Sequence, residues 1–376
     1  MWRADPSQIL AAIVLDLLVG DPRGWPHIAR LTGKLSVRYE AVLTRRVQRG
    51  VTLGVVFWGL VTGTIFAGYT IVFWFCARLG ATWLLNTLII YQAIAVMDLH
   101  RHVRAVFVPL AAGNLAEARS RLAWIVGRDT ETLSEPEISR AAIESVAESL
   151  TDAIVAPLFW SVIAGGPGAL IYRTANTLDS MVGHRTSVYE KFGKASARID
   201  DLLNWVPARI CAIFLCLFHS ARCWRAISQE AASHASPNAG WSEAAMAHAL
   251  GVRLGGDNHY DGLPVHGPVF NASGRVAGTM DIARSLKRMW WIAGACTGFF
   301  LLISFFLSSL PANFTHRNQK LQEFRSCRSS GAIAGSESTA SRVEFFIVSK
   351  RLNHHPETAK RPPHSATPEL LQLPTS

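Results

Sequence analysis

The sequence predicts an all-α fold: a multi-pass helical membrane protein with broken or re-entrant helices and cytoplasmic polar segments. Three observations carry that expectation. Of 376 residues, 49% are hydrophobic and 17% charged, and the mean hydropathy is +0.20, a balance unlike that of an ordinary soluble domain. Residues 51–76 hold no charged side chain, more than the roughly 20 residues a helix needs to cross hydrocarbon. Residues 290–310 form a second stretch of spanning length.

Taken in order, residues 8–20 are apolar but short and carry Asp16, with no small-x-small cleavage site before Asp21-Pro22, so the segment reads as retained. The link to residue 51 carries Arg23, Arg30, Lys34, Arg38, Arg45, Arg46 and Arg49 against Asp21 and Glu40. The positive-inside rule makes that link cytoplasmic and accounts for much of the +10 net charge without nucleic acid. Helix 51–76 then exits and residues 81–97 return, pairing as a hairpin around Arg78 and Gly80. Residues 98–152 come back to the cytoplasm as soluble helices, amphipathic over 115–126 and starting again at Ser139, just after Pro136, to run through Leu150.

Two later apolar stretches are interrupted. Residues 153–172 contain Pro157 and Gly165-Gly166-Pro167-Gly168, and residues 202–219 contain Asn204 and Pro207. Such breaks are tolerated at membrane depth where protein or a water-filled cavity satisfies the freed backbone groups, so both read as broken or re-entrant helices lining a site. Plain kinked spans are the alternative. If both crossed fully, residues 173–201 would lie outside; re-entrant segments keep every polar cluster on the cytoplasmic side, and that reading is preferred. Residues 233–281 are turn and loop around one short helix, 242–250, with Ser242 placed to cap it. Residues 311–376, rich in Ser, Arg and His with Pro362-Pro363, read as a disordered extension of a 1–310 membrane domain. The six cysteines show no CxxC pair and read as buried thiols.

Four clusters carry candidate chemistry. Arg140, Glu144 and Glu148 recur at i, i+4, i+8 on one helical face, and Asp152 follows at the mouth of an apolar segment. Carboxylates so placed can hold Mg²⁺ together with nucleotide oxygens; an exposed face with an Arg140–Glu144 pair is the plainer reading. Asn176, Asp179, Ser180 and Gly183 share a second face, followed by Arg185, where polar groups near a membrane line cavities or pair between helices. Residues 196–209 combine Asp200 and Asp201 with Arg198 and Arg209, a set suited to phosphates and their metal. His234, Asn238 and Glu243 surround a loop of small residues that permits close backbone approach. Asp98, His100 and His102 form a smaller group that reads as a solvated interface. There is no GxxxxGK[ST] or GxGxxG loop and no internal repeat.

In their order these strings resemble the CobD/CbiB family of cobalamin-biosynthesis membrane proteins, the adenosylcobinamide-phosphate synthases. The matching strings are Leu15 to Pro22 with Pro26-His27, Gly127 to Thr130, Ser139 to Glu148, Ala156 to Trp160, Asn176 to Gly183, Ser196 to Arg209 and Ser236 to Met246 continuing to Gly256. Two departures are Ser149, where the family usually has Asn, and His184, where it usually has Tyr. The resemblance implies ATP-dependent amide ligation of (R)-1-aminopropan-2-ol or its O-phosphate to the propionate carboxyl of adenosylcobyric acid, at a bacterial inner membrane, with other corrinoid-pathway enzymes as possible partners. On that basis Glu144, Glu148, Asp152, Asp179, Arg198 and Asp201 are the catalytic candidates, and Glu144, Glu148, Asp179 and Asp201 the Mg²⁺ candidates. Arg140, Asn176, Ser180, Arg185, Arg209, His234, Asn238 and Glu243 are the candidates for binding ATP and the other substrates. A corrinoid-binding scaffold or transporter is the competing class.

Overall fold

The computed structural model describes residues 4–22, 24–45, 47–184, 186, 188–217 and 219–309; Arg23, Arg46, Arg185 and the expected extension 311–376 lie outside that set. Among the described residues, four helical segments are long and apolar enough to cross a membrane, as the composition requires. The shorter apolar helix α1 (Pro6–Val19) precedes them, started by a capping box between Asp5 and Gln8 with proline in its first turn. Asp16, the charge inside it, is buried, and its carboxylate accepts the amides of Val96 and Met97 at 3.1 Å each. Those amides open α5 (Val96–Ala111), whose own N-cap residue Ala95 supplies no side-chain bond. Asp16 therefore caps a helix 80 residues away, which explains why an acid sits in an apolar segment.

Helix α2 (Ile28–Leu43) lies in the basic link and packs along the later segment that holds Met181. Helix α3 (Val51–Arg78) spans about 42 Å at 1.5 Å per residue, and Val55, Leu60, Ile71 and Phe75 are exposed along it, an apolar belt suited to lipid. A turn at Gly80, where φ is 68°, leads into α4 (Thr82–Ala93), which α5 follows after a break at Ile94 and Ala95. Helix α6 (Leu115–Leu122) packs against α5.

The third apolar segment, residues 135–182, is a helical hairpin. It comprises α7 (Glu135–Leu150), a π-helical turn (Thr151–Val155) and α8 (Ala156–Val182). Run straight, such a helix would hold Asp152 and Asn176 about 36 Å apart. Instead the Asn176 amide donates to the Asp152 carboxylate at 3.0 Å. The reversal sits at Ala164 and Gly165, the latter at φ 61° and ψ −149°, a region open essentially to glycine alone.

The depth of the turn can be read against α3. A Cβ on Gly54 would collide with the Phe192 carbonyl, near the hairpin mouth, whereas a Cβ on Gly166 would collide with Asn86, which accepts from Tyr69 at 2.9 Å. Gly54 to Tyr69 is about 22 Å along α3, and about 14 Å of that helix continues beyond the tip. Both arms of the hairpin open on the same side of its turn, the geometry a re-entrant segment would have.

Helix α9 (Lys194–Leu215) differs from expectation, running unbroken through Pro207. Proline leaves the carbonyl four residues earlier without its helical donor, and here the Trp160 indole donates to that Leu203 carbonyl at 3.1 Å. Two helices also begin earlier than the sequence suggested. The capping box at Ser134 and Glu137 starts α7 at Glu135, leaving Ser139 buried inside it, and α11 (Ala239–Leu250) starts from Asn238, with Ser242 bonding back to the Ala239 carbonyl. Between α9 and α11 lies α10 (Ala221–Ala231). The loop-rich region forms two short antiparallel pairs, β1 (Leu254–Gly255) with β4 (Val269–Phe270) and β2 (Asn258–Tyr260) with β3 (Leu263–Val265). The tip of the second pair is held by Asp129, which accepts the amides of Asp261 and Gly262. Helix α12 (Thr279–Ser309) closes the domain, packed on α7 and α5 and reaching the Ala4 carbonyl through Ser304.

Candidate functional site

Folding residues 135–182 back on themselves brings the two carboxylate clusters together. Asp152 stands on the π-helical turn at the end of one arm, a wider turn of a kind frequent at functional sites, and Asn176 and Asp179 stand on the other arm. The third wall is α9, laid against the pair. The Asn176 amide reaches both Asp152, at 3.0 Å, and Asp200, at 3.4 Å. Asn204 donates to Asp200 at 2.9 Å and receives the Tyr172 hydroxyl at 3.0 Å. Two amides and a phenol thus hold two acids against each other. Burial drives the Asp200 carboxyl well above its ordinary range, and the Asp152 and Asp179 carboxylates push it the same way.

This network backs a cavity of about 280 Å³ lined by Glu148, Asp152, Asp179, Asp200, Asp201, His234 and Asn238 among others. Glu148 is exposed on that wall, whereas Asp200 is buried behind it. The cavity continues outward into a vestibule of about 890 Å³ whose walls carry His184, Lys191, Lys194, Arg198 and Arg209. Lys191, Lys194 and Arg198 are exposed, while Arg209 lies between the rings of Trp205 and Trp241, its guanidinium 4.5 and 5.0 Å from their centroids. Arg209 also donates to the Asn238 side chain at 3.1 Å, and Asn238 donates to the Asp201 carbonyl at 2.8 Å, so the loop before α11 is tied to α9.

On the other side of the 280 Å³ cavity lies a third space, of about 420 Å³, between α7, α11 and the β-hairpin region. Glu148, His234 and Ala235 border both, and His234 and Ala235 border the vestibule too. Here Glu144 is fully engaged: it binds Arg128 at 2.5 Å and accepts the Gly255 amide at 2.7 Å. Glu243 faces the same space, its carboxyl held well above the ordinary range by burial and then by Glu144 and Glu148. Burial lowers the His234 pKa, and its Nδ1 lies 3.0 Å from the Ser236 amide and 3.2 Å from the Ser236 carbonyl, which fix the ring in the loop.

The sequence-derived candidates therefore divide. Glu148, Asp152, Asp179, Asp201, Asn176, His234 and Asn238 meet at the central cavity, and Arg198 and Arg209 at the vestibule. Four do not meet there, among them Glu243, which faces the 420 Å³ space. Glu144 belongs to the Arg128 pair, Arg140 clamps the carbonyls of Gly255 and Asp257, and Ser180 bonds to its own helix at the Asn176 carbonyl. Arg185 lies outside the described residues. The departures fall at the rim, His184 on the vestibule wall and Ser149 half-buried on α7.

Tyr172 and Asn204 belong to the centre, the latter read from the sequence only as an interruption of an apolar stretch, and Asp200 is its buried acid. Lys191 and Lys194 carried no signal beyond charge. Among the described residues no three carboxylate, imidazole or thiol groups converge as a metal site. Hard oxygen donors nonetheless line the cavity, and they suit Mg²⁺, which takes one or two protein carboxylates and completes its shell with phosphate and water.

A model of the CobD/Cbib protein family matches residues 9–289. The cobalamin biosynthesis protein CobD of Klebsiella pneumoniae is 39% identical over 313 residues, covering 79% of this chain and 96% of that protein. The Rhodobacter capsulatus protein of the same name is 42% identical over 273 residues, 71% of this chain and 84% of its own length. The cobalamin biosynthesis protein CbiB of Salmonella choleraesuis is 37% identical over 316 residues, 80% and 97% of the two chains. No solved structure matches the chain.

Proposed function

Because the chain belongs to the CobD/Cbib family and so acts in cobalamin biosynthesis, we propose that it is an adenosylcobinamide-phosphate synthase, joining an amino alcohol or its phosphate to a corrin carboxyl at the expense of ATP. The observation that carries this reading is the sequence of environments along one cleft, a basic vestibule opening onto a carboxylate-lined cavity at the mouth of a re-entrant hairpin.

A carboxylate is a poor electrophile, so ligation requires activation. In the proposed reaction the γ-phosphoryl group passes to the propionate oxygen, the bond to ADP breaking towards ADP. The amine nitrogen then attacks the carbonyl carbon, and the carbon–oxygen bond breaks as phosphate leaves with the electron pair. Of the three ammonium protons, one stays on the amide nitrogen, one leaves on phosphate and one is released. Lys191, Lys194 and Arg198 bind the phosphates in the vestibule, where cations offset the charge that brings two anions together. Mg²⁺ would be held by Asp179 and Asp201 with phosphate oxygens and would neutralise developing charge. The Asp152–Asn176–Asp200–Asn204 network fixes the wall behind them. The basic link packs on the same side as the site, through Tyr189 to Glu40 at 3.4 Å, which supports a site facing the cytoplasm of a bacterial inner membrane, where ATP is available.

The test is a purified preparation given adenosylcobyric acid, aminopropanol phosphate and MgATP. Amide product with stoichiometric ADP is expected; binding without turnover would make the protein a corrinoid scaffold or transporter instead. Glu148→Gln and Asp179→Asn are expected to abolish product while protein remains in the membrane, and full activity in both would overturn this site.

A further inference from the structure

An amide ligase must bring its amine to the activated carboxyl by a route that nucleotide and corrin do not occupy. On that reading the vestibule, where Lys191, Lys194 and Arg198 are exposed, admits the anions. The 420 Å³ cavity on the opposite side of Glu148 has the reverse character. Of its charged wall residues Arg128 and Glu144 are paired at 2.5 Å and offset each other, and His266 on the rim is paired with Asp257 at 2.9 Å. Glu148 and Glu243 remain. No hydrogen bond of the Glu243 side chain is found among the described residues, and its neighbour His234, at 3.8 Å, carries no positive charge when neutral. A half-buried carboxylate without a hydrogen bond is costly unless a ligand supplies one. Val126, Val265 and Phe270 give the same cavity an apolar wall.

We propose that this cavity is the amine subsite, with the ammonium group of a short amino alcohol, free or O-phosphorylated, held between Glu243 and Glu148 and its carbon chain against Val265 and Phe270. The inference rests on the ligase reading above. It places the amine on α11 and the β-hairpin, the nucleotide on α9, and the reacting carboxyl where the two cavities meet beside the His234–Ala235 loop. At about 420 Å³ the cavity admits a three-carbon amine with room for water, and the larger vestibule is left to the bulkier partners.

Two variants test it in full-length protein in lipid nanodiscs, each checked for a monodisperse folded peak. Glu243→Gln removes the carboxyl that would give up its proton to pair with the ammonium; Val265→Trp fills the cavity from the exposed hairpin. Both are expected to raise KM for aminopropanol phosphate by about tenfold or more while KM for MgATP is unchanged. An unchanged amine KM in both, or equal rises for amine and MgATP, would overturn the assignment. Should wild-type protein make no amide, the ligase reading falls, and the site is judged by binding alone: 1-aminopropan-2-ol should raise the thermal midpoint of wild type and not of Glu243→Gln. No shift in wild type would end the proposal.

Discussion

Glu144 and Glu148 lie one helical turn apart, and their surroundings give them different tasks. Glu144 shares a buried pair with Arg128, both side chains largely covered, whereas Glu148 is exposed on the wall of the central cavity. Removing one partner of a buried pair leaves the other uncompensated, so Glu144→Gln should lower stability by about 3–5 kcal/mol, read as a fall in thermal midpoint. Glu148→Gln should hold its midpoint and lose turnover; equal midpoints for the two would contradict this division. Asp200 gives a pH test. Its folded pKa is raised well above the ordinary 3.8, so the native state binds its proton where the unfolded chain has lost it. Its contribution is complete below the ordinary value and is lost as pH rises through the raised one. Between pH 5 and 8 the wild-type midpoint should fall with pH more steeply than that of Asp200→Asn. Parallel slopes would mean that Asp200 titrates normally.

Among the elements, the hairpin of residues 135–182 shows what the sequence could and could not say. The Gly165-Gly166-Pro167-Gly168 run marks a break, and the charge spacing marks each cluster. The pairing of Asp152 with Asn176 across the turn is tertiary, and nothing local in the chain specifies it. Pro207 carried an equally strong local signal and caused no break, because Trp160 from another helix satisfies the carbonyl that proline leaves open. Punctuation residues therefore report a lost hydrogen bond, and the rest of the fold decides whether the chain must bend. Arg140 and Glu144 were misleading for a related reason: their helical spacing is real, but Arg128 and the Gly255–Asp257 backbone claim them. Gly165→Ala tests the turn, since a side chain at φ 61° and ψ −149° should cost about 1–3 kcal/mol. Gly59→Ala on α3, where a Cβ meets nothing within 4 Å, is the control and should leave the thermal midpoint unchanged or slightly raised.

At the scale of the whole molecule, the charge bias of the basic link and the position of the catalytic candidates are one constraint seen twice. Gly33 in that link packs on Met181, and Glu40 receives Tyr189, so α2 and the hairpin mouth share a side. The opposite end is built from the turn at Gly80 and the start of α1, where Trp83 donates to Ser7 at 2.9 Å. Composition gives the membrane and an expected orientation because both follow from summed properties, hydrophobic length and Lys/Arg excess. It could not decide how many apolar segments cross, since 48 residues are enough for one long span or for two short arms, and the non-helical backbone at Ala164 and Gly165 and the Asp152–Asn176 contact separate these. The distinction is measurable in intact cells with single cysteines in a background lacking the native ones. A cysteine at Leu79 should react with a membrane-impermeant maleimide added outside, because the α3–α4 turn lies at the far end. A cysteine at Lys191, beside the vestibule, should react only after the membrane is opened. Were the hairpin a single crossing, Lys191 would lie on the side opposite the basic link and would label from outside, and the cleft would be cut off from its ATP.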